Sequence, residues 1–127
     1  MRLFRKSDEK VAAEAAAQAE IDRLRALPVT ELAATLLAAL GPDGVNQGNA
    51  VHTQPLCQYL LRETPGAGLL VTLQLMGRVT AALEALRDAG LIQSISLQRS
   101  PYWRILPLGE EALADGTVRR RLAGGEA

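Results

Sequence analysis

The stretch Met76–Leu113, MGRVTAALEALRDAGLIQSISLQRSPYWRILPLGEEAL, constrains the fold more than any other part of the chain. Leu73, Met76, Val79, Leu83 and Leu86 recur at spacings of three and four, so Leu69–Ala89 reads as one long helix, with Leu69–Val71 as its first turn or an extended lead-in. Gly90 stands where helices commonly end in the left-handed conformation. Two runs, Leu91–Gln98 and Tyr102–Leu108, then alternate as strands do, with Arg99-Ser100-Pro101 as the turn between them. The alternation sets Leu91, Ile95 and Leu97 on one side of the first run, and Trp103 and Ile105 on one side of the second. Gly109–Asp115 reads as a final short helix. Helix, hairpin and helix in this order leave the upstream chain to supply the elements that pack against them.

Upstream, Met1–Lys6 reads as a short basic stub, and Ser7-Asp8-Glu9 as the cap and first acidic turn of a helix running to about Leu27. Large apolar residues are scarce in that helix before Ile21, Leu24 and Leu27, so its first half has little to bury. Pro28 breaks it, and Thr30 is placed to cap a second helix, Glu31–Leu40, whose Leu32, Leu36, Leu37 and Leu40 form an apolar stripe. Gly41-Pro42-Asp43-Gly44 ends that helix. Val45–His52 reads as a loop, with a short strand near Val51 as the alternative. Thr53 is placed to cap a further helix that carries Pro55 in its first turn and ends at Pro65-Gly66-Ala67-Gly68. Three segments follow: an Ala-rich N-terminal helix in 1–28 that serves as a dimerisation or partner arm, a folded domain over 29–116, and a flexible basic tail over 117–127.

Charge and composition exclude several functions. Formal net charge is zero, which lends no support to nucleic-acid binding, although the distribution of charge matters more than its sum. Residues 32–72 carry only Arg62 against Asp43 and Glu63, whereas Leu91–Leu108 holds Arg99 and Arg104 and no acid. With one cysteine and one histidine, no intrachain disulfide forms and no zinc site is expected. Cys57 lies in an apolar pattern and reads as a small buried hydrophobe, and His52 as a hydrogen-bonding loop residue. No glycine-rich phosphate loop, nucleophile with its base, or carboxylate pair in an apolar setting is present, so no enzyme activity and no cofactor is expected. No apolar run approaches the roughly 18–20 residues of a membrane span, and the start lacks a signal peptide's apolar segment, so a cytoplasmic protein is expected.

LEALRDAGLI at Leu83–Ile92 resembles the end of the recognition helix, where it enters the wing, in the MarR/PadR/HxlR-like bacterial regulators. ILPLGEEAL at Ile105–Leu113 resembles the exit from the wing in the same group. The resemblance covers roughly residues 30 to 116. It implies a mostly α fold with a small β-wing (α+β), a winged helix-turn-helix with an added N-terminal helix. The chain departs from the group's pattern at Leu106, where a capping Thr is frequent. It departs also at Thr64–Thr72, long and apolar where a tight polar turn is usual, and in the low positive charge of its third helix.

In such a fold the start of the third helix enters the major groove. Gln74, Arg78 and Ala81 face away from the apolar stripe, Gln and Arg can each bond a base edge in two places, and Gly77 admits a close backbone. The plain alternative is an ordinary exposed helix face. Gln98, Arg99, Ser100, Tyr102 and Arg104 gather at the wing tip, where Arg and Ser meet phosphates or a minor groove, or else form a solvated hairpin. Trp103 reads as a packing residue, and Arg119-Arg120-Arg121 as a solvated tail. Two functions remain open. The first is a homodimeric DNA-binding bacterial transcription regulator that uses Gln74, Arg78, Arg99, Ser100 and Arg104 on double-stranded DNA, with the helix around Ala12–Leu27 and part of Leu69–Val71 at the dimer interface; the alternative for that helix is that it folds back on its own domain or frays. The second is a winged-helix module that contacts a protein partner and binds no nucleic acid.

Overall fold

A computed structural model describes residues 2–97 and 99–124, with the side chains of all of these except 2–7, 69, 97 and 124. The elements are α1 (Arg2–Ala26), α2 (Val29–Leu40), β1 (Val51–His52), α3 (Thr53–Leu60), α4 (Leu69–Thr72), a 3-10 turn (Leu73–Leu75), α5 (Met76–Asp88), β2 (Ile92–Leu97), β3 (Ser100–Ile105), α6 (Pro107–Asp115) and α7 (Val118–Gly124). The chain is mostly helical with one small antiparallel sheet in the order β1-β3-β2. Met1, Gln98 and 125–127, which fall in the expected stub, hairpin tip and tail, lie outside the described residues.

The core forms around α2. Leu32, Ala33, Leu36, Leu37, Ala39 and Leu40 are buried, and the helix touches α3, α5, α6, α7 and β3. Each leucine taken out of water contributes about 1.5–3 kcal/mol, and a helix enclosed this way has little room for charge. The scarcity of charge in 32–72 is thus explained in part by burial, with Val45 and Leu70 among its exposed large apolar residues. The helix begins at Val29 behind Pro28, not at a Thr30 cap; proline needs no N–H there, and its fixed φ of −57° suits the junction.

The α5–β2 junction follows the sequence closely. Gly90 has φ +79°, and Leu91 N donates to Leu86 O at 3.0 Å, closing the helix. Leu91 is fully buried, and its carbonyl accepts from Leu106 N at 3.0 Å, so the hairpin's two ends meet there. A Cβ at Gly109 would lie 2.2 Å from that same carbonyl oxygen, so the residue's lack of a side chain lets α6 close on the sheet.

The hairpin register corrects one expectation. Ile92 pairs with Ile105, Ser94 with Trp103 and Ile95 with Tyr102. Paired residues share a face, so the core face is that of Ile92, Trp103 and Ile105, while Ile95 shares the outer face with Tyr102. Leu91 is buried because it lies in the junction before the strand. β3 starts at Ser100 and takes in Pro101, which leaves Arg99, at φ +68°, in the turn.

Other boundaries differ as well. The helix expected to start at Ser7 runs from Arg2. β1 is the short strand near Val51, and it pairs with β3 through Val51–Trp103 and His52–Tyr102. His52, not Thr53, is the N-cap of α3, its Nδ1 accepting from Gln54 N at 3.4 Å. The Leu69–Ala89 helix is interrupted by the 3-10 turn. Three residues per turn instead of 3.6 shift the phase of the side chains, so Leu75 is buried and Leu73 is 43% exposed. The helix expected at Gly109–Asp115 begins at Pro107, and Gly116 caps its end with φ +69°. Residues 118–124, expected within a flexible tail, form α7, whose Val118 and Leu122 join the core.

Trp103 lies on the core side, as the alternation indicates, and its indole N–H donates to the buried Thr53 hydroxyl at 2.9 Å. This bond fastens β3 to the start of α3. Thr53→Val keeps the shape and removes the acceptor, leaving a buried N–H unpaired. The expected loss is about 1–3 kcal/mol of unfolding free energy in urea titrations followed by Trp103 fluorescence; an unchanged midpoint would contradict this role.

Candidate interaction surfaces on the third helix and the hairpin

Helix α1 decides what α5 can present. Ala17, Ile21 and Leu24 are buried at spacings of four and three, so the second half of α1 packs into the core, and the helix touches α4 and the 3-10 turn. Its first half is different: Val11 is 64% exposed. Gly66 fits closely beside α1, since a Cβ there would lie 3.0 Å from Ala13 O.

Two of the five expected DNA-contacting residues are engaged by α1. Gln74, in the 3-10 turn, exchanges amide hydrogen bonds with Gln18 at 3.2 and 3.3 Å. Arg78 donates from its guanidinium to the carbonyl oxygen of Leu27, just beyond the end of α1. Carbonyls at a helix C-terminus lack intrahelical donors, and a cation is favoured there, so an arginine from another helix fits the position. The Nε of Arg78 is buried without a hydrogen-bond partner among the described residues. An open groove of about 560 Å³ remains beside this contact, bordered by Asp22, Arg25, Gln74, Gly77 and Arg78.

The outward surface of α5 is poor in positive charge. Gly77, Ala81, Glu84, Arg87 and Asp88 are exposed, and Arg87 lies 3.7 Å from Glu84 and 3.6 Å from Asp88. Two carboxylates against one guanidinium give this surface a net negative charge. Nothing lies within 4 Å of a Cβ built on Gly77, so packing within the protein does not require glycine there.

The hairpin keeps its arginines outward. Arg99 and Arg104 are exposed and Ser100 is half-buried. Arg104 stands opposite Gln93, and with the Gln93 amide oxygen turned toward it the guanidinium donates across the strands, Nε at 3.3 Å. Tyr102 meets His52 edge to face, ring centroids 5.3 Å apart. Arg78 and Gln74 therefore belong to the α1 contact, while Arg99, Ser100 and Arg104 belong to the hairpin.

Burial pushes the Cys57 thiol up to about 11, so it stays protonated at neutral pH, with Sγ 3.4 Å from the Met76 sulfur. No grouping of His, Cys, Asp and Glu suited to a metal occurs among the described residues. Comparison with known protein families, characterised proteins and solved structures yields no match.

The C-terminal arginines act within the fold. Arg119 makes a two-pronged pair with Glu31 at 2.9 and 2.8 Å, and Arg121 reaches Thr117, Asp115 and Glu111. The hydrogen bond from Arg119 holds the Glu31 carboxyl below its ordinary value. A carboxylate with a depressed folded-state pKa stabilises above its unfolded value, and that contribution is lost as pH falls through the folded pKa. Both groups face solvent, so the effect is small. Arg119→Gln is expected to return the Glu31 titration, followed by NMR, toward the ordinary carboxylate range; an unmoved titration would show that the pair does not persist in solution.

Proposed function

We propose that this chain is a winged-helix protein that contacts a protein partner and does not read DNA sequence with its third helix. The order α2, β1, α3, α5, β2, β3, with α4 and the 3-10 turn inserted ahead of α5 and the sheet order β1-β3-β2, supports the winged-helix reading. The observation that carries the function is α1 lying against α4 and the 3-10 turn that lead into α5. Gln74 and Arg78, the two side chains placed to reach base edges, hydrogen-bond to Gln18 and the Leu27 carbonyl, Gln74 from an exposed position. Beyond them α5 offers a duplex a net negative surface, which like charge disfavours. Exposed Val11, Leu70 and Leu73 support the first half of α1 and α4 as the contact in a homodimer.

The DNA-binding regulator is kept as a second reading on one observation. The hairpin carries Arg99 and Arg104 without a neighbouring acid, so it could meet phosphates through Arg99, Ser100 and Arg104. The two readings separate in one experiment. Fluorescence anisotropy with a labelled random-sequence duplex, in low salt and then at physiological salt, is expected to show no binding at the higher salt. Sedimentation equilibrium on the same sample is expected to show a dimer. Tight binding that persists and is lost in Arg78→Ala would overturn the protein-contact reading, and a monomer at all concentrations would remove the homodimer.

A further inference from the structure

On the reading of the chain as a protein-contact module, we infer that the free edge of β2 takes an extended, acidic segment of a partner protein as a fourth strand. β2 is the outer strand of the sheet, and among the described residues nothing pairs with its far side. The bond from Leu106 N to Leu91 O fixes which backbone groups face that edge. In an antiparallel pair, hydrogen-bonded and non-hydrogen-bonded residue pairs alternate. Leu91 is bonded, so Gln93, Ile95 and Leu97 turn their N–H and C=O groups toward β3, while Ile92, Ser94 and Ser96 turn theirs outward. Pro101 agrees with this phase: it pairs with Ser96, where no N–H toward β2 is needed.

Exposed edges are usually guarded by charge, proline or a bulge. β2 reads IQSISL and has neither charge nor proline, and its register with β3 is unbroken from Ile92 to Leu97. Ser94 and Ser96 are exposed and small, which leaves room for larger side chains on an added strand.

The chemistry of the occupant follows from charge. Between Asp88 and Glu110 the chain holds Arg99 and Arg104 and no carboxylate. An added strand would lie about 4.8 Å beyond β2 and about twice that from β3. Arg104 stands on β3, but its hydrogen bond to Gln93 draws the guanidinium onto the outer face of β2. A carboxylate on the outer face of the added strand, beside Gln93, meets that guanidinium. A second copy of the chain paired through β2 would instead bring two positive hairpins together. Duplex phosphates would use the arginines but leave the outward N–H and C=O groups unanswered.

The test uses the full chain, labelled with nitrogen-15, and two peptides of about ten residues that alternate threonine with glutamate or threonine with lysine. The glutamate peptide is expected to shift the amide signals of Ser94 and Ser96, with the α1 signals unmoved. Arg104→Glu is expected to weaken the glutamate peptide about tenfold and to favour the lysine peptide, a reversal that loss of structure would not produce. Ser96→Pro, which removes an outward N–H, is expected to abolish binding, and Arg104→Glu decides the matter if that variant does not fold. The inference is overturned if neither peptide moves Ser94 and Ser96, or if both bind alike before and after Arg104→Glu. It is overturned in favour of a second copy if these signals move with protein concentration alone. It is overturned in favour of nucleic acid if a duplex of about 20 base pairs, and not the peptide, depends on Arg104. Failure of the peptides with no duplex binding leaves the protein-contact reading standing, whereas duplex-induced shifts along α5 would remove that reading as well.

Discussion

Burial of α2 is the constraint that the rest of the fold serves. A helix with Leu32, Leu36, Leu37 and Leu40 all out of water needs cover on several sides, and α3, α5, α6, α7 and β3 each provide some of it. That requirement explains why the chain continues past its sheet. α6 closes over the Leu91 carbonyl through Gly109, and α7 adds Val118 and Leu122, with Arg119 fixed to Glu31 at the start of α2. The hydrophobic term drives this assembly without direction; the hydrogen bonds of Leu91, Trp103 and Arg78 select one arrangement.

The same packing sets which side chains face solvent. α1 packs Ala17, Ile21 and Leu24 into the core, and this brings Gln18 to Gln74 and Leu27 to Arg78. Once there, α1 lies against α4 and the 3-10 turn that lead into α5, while Gln74 and Gly77 stay exposed. Positive charge is left at the hairpin, beside a strand edge with unpaired backbone groups. Two contacts, Gln18 with Gln74 and Leu27 with Arg78, thus tie the end of α1 to the turn and helix that precede the hairpin.

The sequence was most legible where one residue type has one physical use. Gly90 marks the helix end because a left-handed residue is needed there, and Trp103 falls on the core face by strand alternation. The second half of α1 was visible as Ile21 and Leu24 at helical spacing. Less legible were features set by distant partners. The 3-10 turn exchanges Leu73 for Leu75 in the core, and no local signal announces that change of period. Thr53 looks like a cap but is held by an indole fifty residues away. Gln74 reads as solvent-facing and is exposed; the half-buried Arg78 was less legible because Leu27, whose carbonyl accepts from it, is far off in sequence, and the donor-poor end of α1 was the one available hint. The C-terminal arginines read as a tail because Glu31, their partner in the fold, is equally remote.

The docking of α1 is tested most directly by amide hydrogen exchange on the unmodified chain. Residues 17–26 are expected to exchange as slowly as the buried turns of α2 and α5, opening only with global unfolding. Fast exchange through 17–26 while α2 and α5 stay protected would contradict the account: α1 would then be detached in solution, and Gln74 and Arg78 would be free to face a ligand.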